Sequence, residues 1–109
     1  MAAVAFPEVE DDVLDRLGPL YNVILLDDDD HTYDYVVEML CKIFKFSEKV
    51  AFHHAVEVDD KGRTLLLTCP LSEAERKRDQ IHAYGADWRL PRSKGSMSAI
   101  IELAGPAAA

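Results

Sequence analysis

The sequence predicts an α+β domain in which a three-stranded antiparallel sheet packs against three helices, in the order β-α-α-β-α-β. Three short apolar runs, each bounded by polar residues, glycine or proline, have the length and composition of strands. Between them lie stretches that combine helix-capping residues with apolar residues at helical spacing. A chain of 109 residues is long enough for one domain with one core.

The predicted strands cover Tyr21 to Leu26, Arg63 to Cys69 and Ser98 to Leu103. The first contains a continuous apolar run from Val23 to Leu26, which is typical of a strand covered on both faces. The second has threonines near both ends and stops at Pro70, which has no backbone N–H to donate. Strands of this length favour one small sheet.

The first predicted helix runs from Tyr33 to about Phe44, with Thr32 as its N-cap. Its buried face is predicted from helical spacing to be Val36, Val37, Leu40, Ile43 and Phe44. The second helix is predicted from Glu48 to about Val58, behind Ser47 as N-cap. Its inward residues are predicted to be Val50, Ala51, Ala55 and Val58.

The third predicted helix runs from Glu73 to about Tyr84. Ser72 and Glu75 have the spacing of a capping box, in which each side chain bonds the other residue's backbone N–H. Charges of both signs alternate along this helix, so most of its surface is expected to face solvent. In the loop that follows, Trp88 is predicted to cover the edge of the core.

Three segments are predicted along the chain. Residues 1–20 are expected to be a flexible N-terminal arm, residues 21–104 a single domain, and residues 105–109 a frayed C-terminus. The opening residues lack the basic region of a signal peptide, and no apolar stretch reaches the ~18–20 residues that a membrane span needs. We therefore expect no membrane association.

The net charge of −8 argues against nucleic-acid binding, which needs a basic surface, and favours cationic partners. The two cysteines, Cys41 and Cys69, are far apart in the sequence and are expected to be free, buried thiols. Such cysteine usage is typical of a reducing compartment, so the expected location is the cytoplasm.

Four consecutive aspartates, Asp27 to Asp30, lie between the first strand and the first helix. A second acidic pair, Asp59 and Asp60, follows the second predicted helix. Because the first and second predicted helices should pack on one face of the sheet, these two groups of aspartates are expected to lie close together. Crowded carboxylates destabilise one another unless a cation or bulk water screens them. The pattern indicates a site for a cation, with a solvated charge run as the alternative.

Two kinds of cation fit such a site. Calcium or magnesium would use oxygen ligands, but the turn lacks the central glycine and distal glutamate of a calcium loop, and the histidines lack zinc-ligand spacing. An ammonium group, such as a peptide's free α-amine, has three donors for converging carboxylates. We predict no metal and no cofactor. Neither cysteine adjoins a histidine and no nucleophile motif is present, so we predict no enzymatic activity.

Three motifs together resemble the ClpS adaptor family. They are the apolar strand and aspartates of Tyr21 to Asp29 with the aromatic helix start that follows, Val56 to Gly62, and Ala74 to Lys77. The resemblance covers about residues 21–85 and implies the β-α-α-β-α-β fold predicted above. It also implies a function: members bind proteins with a large hydrophobic N-terminal residue (an N-degron) and pass them to a Clp-type AAA+ unfoldase and its protease.

The resemblance implies roles for individual residues. Ligands of the substrate's N-terminal amine would be Asp27, Asp28 and Asp59. The apolar pocket for its side chain would be formed by Tyr33, Val36, Ala55 and Val58. Support for this pocket would come from Asp29 and Thr32. The surface that faces the unfoldase would include Glu75 and Lys77. The implied protein is a monomer.

This chain also departs from the family pattern. Asp27 stands where the family has asparagine, and Asp59 where it has histidine. Tyr33 stands at the methionine that gates the pocket, and Ala55 replaces a larger residue. These differences motivate an alternative function, a regulatory module that docks on the unfoldase and binds no N-degron. A small acidic metal-binding protein is a third reading.

Overall fold

The computed structural model describes residues 18–105 and confirms the predicted fold class and order of elements. The elements are β1 (Leu20–Leu26), α1 (Tyr33–Phe44), α2 (Glu48–Lys61), β2 (Arg63–Pro70), α3 (Leu71–His82) and β3 (Ser98–Leu103). The predictions for residues 1–17 and 106–109 lie outside the described residues, whereas Leu20, placed in the predicted arm, is already part of β1.

The sheet has the order β2-β1-β3, and β1 is antiparallel to both neighbours. A β-bulge interrupts the β1–β2 register, since Val23 pairs with Leu67 but Ile24 pairs with Leu65. The extra residue is Leu66, which is buried in the core beside Leu67. The bulge thus allows two consecutive leucines of β2 to contribute to the same core.

The three helices pack on the sheet face that carries Val23 and Leu25, both of which are fully buried. The buried stripe of α1 is rotated from the predicted one: Tyr35 and Met39 are in the core, whereas Val37 and Phe44 are only partly buried. Tyr35 is tolerated there because its hydroxyl donates a 2.5 Å hydrogen bond to the carbonyl of Gly85. In α2, Val50 was predicted to face inward but is 42% exposed.

The opposite face of the sheet carries no helix from the described residues, yet Ile24 at its centre is only 3% exposed. Arg63 on one edge strand and Glu102 on the other form a 2.7 Å ion pair. Since β1 lies between these strands, the pair must cross over β1 on the Ile24 side, as the register requires. The aliphatic stems of the two side chains therefore help to shield Ile24.

Two helix boundaries differ from the prediction in ways that matter for the site. Helix α2 extends to Lys61, so Asp59 and Asp60 lie in its last turn and not after it. Gly62 ends the helix with φ of 85°, and its N–H donates to the carbonyl of Val58. The two aspartates are therefore at the negative end of the helix dipole, where a carboxylate is unfavourable.

Helix α3 begins at Leu71 and ends at His82, so the predicted capping box is wrong. Pro70 is the N-cap, with φ of −61°, and it makes no side-chain capping bond because its ring has no hydrogen-bonding atom. Ser72 therefore lies inside the first turn. The prediction for Trp88 is also wrong, since its side chain is 81% exposed and does not cover the core.

We expect Gly62→Ala to lower the free energy of unfolding by about 1 kcal/mol, because a residue with a Cβ is strained at positive φ. The open space around Gly62 adds no clash to this strain. Gly95→Ala is the matched control, since Gly95 has no positive φ and an added Cβ would meet no atom within 4 Å. Urea unfolding of both variants measures the difference; equal stabilities would contradict it.

Candidate functional site

The acidic residues at the end of β1 and at the end of α2 lie close together, as the sequence predicts. The backbone N–H of Asp27, at the end of β1, donates a 3.0 Å hydrogen bond to the carbonyl of Gly62, directly after α2. Burial raises the pKa of Asp27 above its usual value, and the charges of Asp59 and Asp28 raise it further. We call the group formed by Asp27, Asp28 and Asp59 the acidic corner.

Asp28 has a structural role within the corner. Its Oδ1 accepts hydrogen bonds from the backbone N–H of Asp30 at 2.9 Å and from Nδ1 of His31 at 2.7 Å. The first of these bonds is an Asx-type turn that reverses the chain between β1 and α1. Within residues 18–105, the second carboxylate oxygen of Asp28 makes no hydrogen bond.

His31 connects the acidic corner to the loop of residues 83–97, which we call the late loop. Its side chain is only 4% exposed, and Nε2 lies 2.7 Å from the carbonyl oxygen of Gly95. The ring also packs on Tyr35, with 4.4 Å between the ring centroids. Sequence reasoning considered His31 only as a metal ligand and missed this role, since no local pattern reveals a partner 64 residues away.

Asp87 is the second anchor of the late loop, and sequence reasoning did not single it out. Its side chain is buried, and Oδ2 accepts hydrogen bonds from the N–H of Thr32 at 2.7 Å and from its hydroxyl at 2.8 Å. The other oxygen accepts from the backbone and guanidinium of Arg89. Burial alone would raise the pKa of Asp87, but these hydrogen bonds outweigh burial and lower the pKa to about 2.

Thr32 is the N-cap of α1, as predicted, and its hydroxyl oxygen accepts from the N–H of Tyr35 at 3.1 Å. The same hydroxyl donates to Asp87, so one residue fixes both the helix start and the late loop. Arg92 adds a further contact, donating to the carbonyl of Asp29 and, at 3.2 Å, to the carboxylate of Asp30. The late loop thus contacts residues 27–30, which we call the acidic turn, from one side.

Some of the aspartates at this site have a basic side chain beside them and others do not. His31 lies against Asp28, and Arg92 against Asp30. By contrast, no lysine, arginine or histidine nitrogen of residues 18–105 lies within 4.0 Å of the carboxylates of Asp27 or Asp59. Asp27 and Asp59 are both exposed to solvent, and they have no cation beside them from the described part of the chain.

Tyr33 provides a neutral partner for Asp59. Its hydroxyl donates to Oδ2 of Asp59 at 2.5 Å, and its ring contacts Phe52 edge-on, with 5.8 Å between centroids. The hydrogen bond to Asp59 raises the pKa of Tyr33 to about 12, and burial and the charge of Asp60 act in the same direction. Tyr33 as a whole residue is 38% exposed.

The other three predicted pocket residues, Val36, Ala55 and Val58, are at most 4% exposed and belong to the core. They are placed together between α1 and α2 and could form the floor of a pocket, but their side chains are closed in. An open hollow of about 500 Å³ lies nearby between the same helices. It is lined by Asp34, Val37, Glu38, Glu48, Lys49 and Phe52. It shares no residue with the predicted pocket, whose assignment stays a prediction.

Of the remaining predicted residues, Glu75 and Lys77 lie on α3, whereas Asp29 lies next to the corner. Lys77 on α3 is half-buried, and its ammonium donates to the carbonyl of Ile43 at 2.7 Å and lies over the ring of Phe44. It therefore caps the C-terminal end of α1, where a cation is favourable. Glu75 is exposed, as is Asp29. The assignment of Glu75 and Lys77 to an unfoldase-facing surface stays a prediction.

Other kinds of site find little support in residues 18–105. No three histidine, cysteine, aspartate or glutamate side chains there are arranged to hold a metal ion. Cys69 is buried and Cys41 only partly buried, and burial raises the pKa of Cys69, which opposes formation of a reactive thiolate. None of the helices in this range is long and apolar enough to cross a membrane.

We expect Asp87→Asn to lower the free energy of unfolding at pH 7 by about 2–3 kcal/mol, because the amide cannot accept all the bonds that the carboxylate accepts. The usual pKa of Asp87 is 3.8 and its folded value about 2, so ionised Asp87 stabilises the fold fully above about pH 4. This contribution is lost as the pH falls towards 2.

Urea unfolding between pH 7 and pH 2 measures this effect. The stability gap between wild type and Asp87→Asn should narrow as the pH falls from 4 to 2. The matched control is Asp79→Asn, which removes the same charge from an exposed position on α3. A gap that is constant with pH would contradict the assigned role of the ionised carboxylate.

Comparisons with known proteins point to one family. Residues 16–91 match the family model described as ATP-dependent Clp protease adaptor protein ClpS. The chain is 35% identical over 74 residues to a ClpS adapter protein of Nautilia profundicola, covering 68% of this chain and 76% of that protein. It is 30% identical over 85 residues to the ClpS of Salmonella arizonae, covering 76% and 80%, respectively.

A solved structure has the same fold. It is that of Agrobacterium tumefaciens ClpS2 bound to L-phenylalaninamide, which superposes with a TM-score of 0.68. The alignment covers 79% of this chain and 98% of that chain, with 23% sequence identity. The two proteins therefore share their fold over most of this chain, and not only in the three sequence motifs.

Proposed function

This chain belongs to the family of ATP-dependent Clp protease adaptor proteins, ClpS, and we propose that its acidic corner binds the free N-terminal amine of substrate proteins. The bound substrate has a large hydrophobic N-terminal residue and is delivered to a Clp-type AAA+ unfoldase. As in the family, the role is that of a non-catalytic adaptor. The L-phenylalaninamide bound to Agrobacterium ClpS2 is a ligand of this chemistry, because it joins a free amine to a large apolar side chain.

The observation that carries the proposal is the absence of a cation, within residues 18–105, beside Asp27 and Asp59. The pKa of Asp27 is raised, so its charged form is destabilised in the free protein. Asp59 lies at the unfavourable end of the α2 dipole. An ammonium ion bound at the corner would relieve both, and its three N–H donors match converging carboxylate oxygens.

The apolar part of the ligand has a matching surface. Val36 follows Tyr33 by one turn of α1, and Ala55 precedes Asp59 by one turn of α2, so each lies on the same helix face as a residue at the corner. With Val58, they supply apolar surface next to the amine site. Tyr33 is the exposed residue of this group and would cover the bound side chain.

We extend the proposal to the setting in which the protein acts. It works as a monomer in the cytoplasm, with no nucleic acid and no membrane among its partners. Its acidic balance and its two unpaired cysteines support this setting. Glu75 and Lys77 on α3 are the proposed unfoldase-facing residues; Glu75 is exposed, and Lys77 also donates to the Ile43 carbonyl of α1.

A second candidate function follows from the closed state of the predicted pocket. Because Val36, Ala55 and Val58 are buried and Tyr33 is bonded to Asp59, the protein could dock on the unfoldase without binding an N-degron. Such a regulatory module would inhibit degradation of other substrates by the unfoldase and deliver none of its own. A competition assay with the reconstituted unfoldase separates this function from that of an adaptor.

We expect peptides that begin with phenylalanine or leucine to bind when the N-terminus is free and not when it is acetylated. Acetylation removes the charge and two of the three donors. Fluorescence anisotropy with labelled peptides measures both forms. Equal affinity for free and acetylated peptides would exclude the amine site, and no binding of either would favour the regulatory module.

We expect Asp59→Asn to weaken binding of the free-amine peptide by roughly tenfold or more, since a hydrogen bond to a charged group contributes about 1.5–3 kcal/mol. The amide keeps the shape of the side chain and an acceptor for Tyr33. Asp79→Asn changes the net charge equally at a distance from the corner and should leave the affinity unchanged. An equal effect of both variants would mean that only net charge matters.

A further inference from the structure

The hydroxyl of Tyr33 and a substrate amine would compete for the same carboxylate. Tyr33 donates to Asp59 Oδ2 at 2.5 Å in the free protein. We propose that this hydrogen bond is a latch that holds the site closed, and that a substrate amine enters by displacing the Tyr33 hydroxyl from Asp59. The inference rests on the proposed function and adds the way in which access to the site is controlled.

The latch joins the two helices at the place where the ligand would enter. Tyr33 is the first residue of α1, and Asp59 lies in the last turn of α2. Val36 and Ala55, each one turn from a latch residue on the same helix face, lie between the two helices and are buried. The hydrogen bond thus bridges the two helices one turn away from these buried residues.

When the latch opens, the ring of Tyr33 can pack against Phe52. It already contacts Phe52 edge-on, and Phe52 is 48% exposed. Phe52 also lines the open hollow of about 500 Å³ between α1 and α2. Rotation of Tyr33 towards this hollow moves the ring away from Asp59 and keeps apolar contact with Phe52.

The latch distinguishes a cation from a neutral group. The tyrosine hydroxyl satisfies one oxygen of Asp59 but brings no positive charge, so the repulsion between Asp27 and Asp59 persists. An ammonium ion replaces the hydrogen bond and also neutralises charge, which the hydroxyl cannot do. An acetylated N-terminus has only a neutral amide N–H, so at Asp59 it would replace one neutral donor, the Tyr33 hydroxyl, with another. The latch therefore increases the selectivity of the site for free amines.

Tyr33→Phe tests the latch because it removes the hydroxyl and keeps the ring on Phe52. We expect the affinity of the full chain for L-phenylalaninamide, measured by calorimetry, to rise roughly three- to tenfold, the factor expected for one exposed hydrogen bond. N-acetyl-L-phenylalaninamide is the ligand control. Tyr21→Phe is the matched variant, since Tyr21 lies at the other end of β1 from the corner.

A second measurement observes the latch directly. In protein labelled with ¹³C at tyrosine Cζ, the Tyr33 signal is assigned by its loss in Tyr33→Phe. Addition of L-phenylalaninamide at pH 6, where its amine is protonated, should shift this signal, because the hydroxyl leaves Asp59. The acetylated compound should cause no shift.

The outcomes separate the latch from the proposed function. Tighter binding to Tyr33→Phe, or binding to this variant alone, supports both. Equal or weaker binding to Tyr33→Phe, with wild type binding normally, overturns the latch and leaves the amine site in place. If neither protein binds L-phenylalaninamide or a free-amine peptide, the proposed function fails and the latch fails with it.

Discussion

Repulsion between carboxylates at the acidic corner is the constraint on which the rest of the site depends. The end of β1 and the end of α2 are joined by the bond from Asp27 N–H to the Gly62 carbonyl, which brings Asp59 close to Asp27. The helix dipole adds to the negative potential there. Both carboxylates are exposed, so water screens part of their repulsion, and the remainder disfavours the charged form of Asp27.

The late loop holds the acidic turn, which carries Asp27. Asp87 receives hydrogen bonds from both the backbone and the hydroxyl of Thr32, and His31 connects Asp28 to the Gly95 carbonyl. Arg92 forms an ion pair with Asp30. These contacts fix the acidic turn, and none of them places a cation beside Asp27 or Asp59. The turn is thus held in place while two exposed carboxylates stay without a cation from the described residues, and this combination suits an external ammonium ion.

Much of the fold was predictable because its signals are local. Apolar runs and helix caps at Thr32 and Ser47 depend on neighbouring residues, and both caps form as predicted. Some errors arose where distant partners decide. Tyr35 is buried because the distant Gly85 carbonyl accepts its hydroxyl. The start of α3 is a different kind of error, since the local signal of Pro70 as N-cap was overlooked in favour of the capping box at Ser72. The bulge that buries Leu66 depends on pairing between two strands far apart in sequence.

The sequence by itself determined the element order, the acidic turn after β1 and the family to which the chain belongs, because these follow from residue types at short spacing. The sequence also predicted that the acidic residues around Asp27 and Asp59 meet, but only the tertiary structure decided that Tyr33 bonds Asp59 and that Asp87 and His31 hold the turn. These contacts join residues 26 to 64 positions apart. Their formation depends on how the helices and the late loop pack on the sheet, which no local pattern encodes.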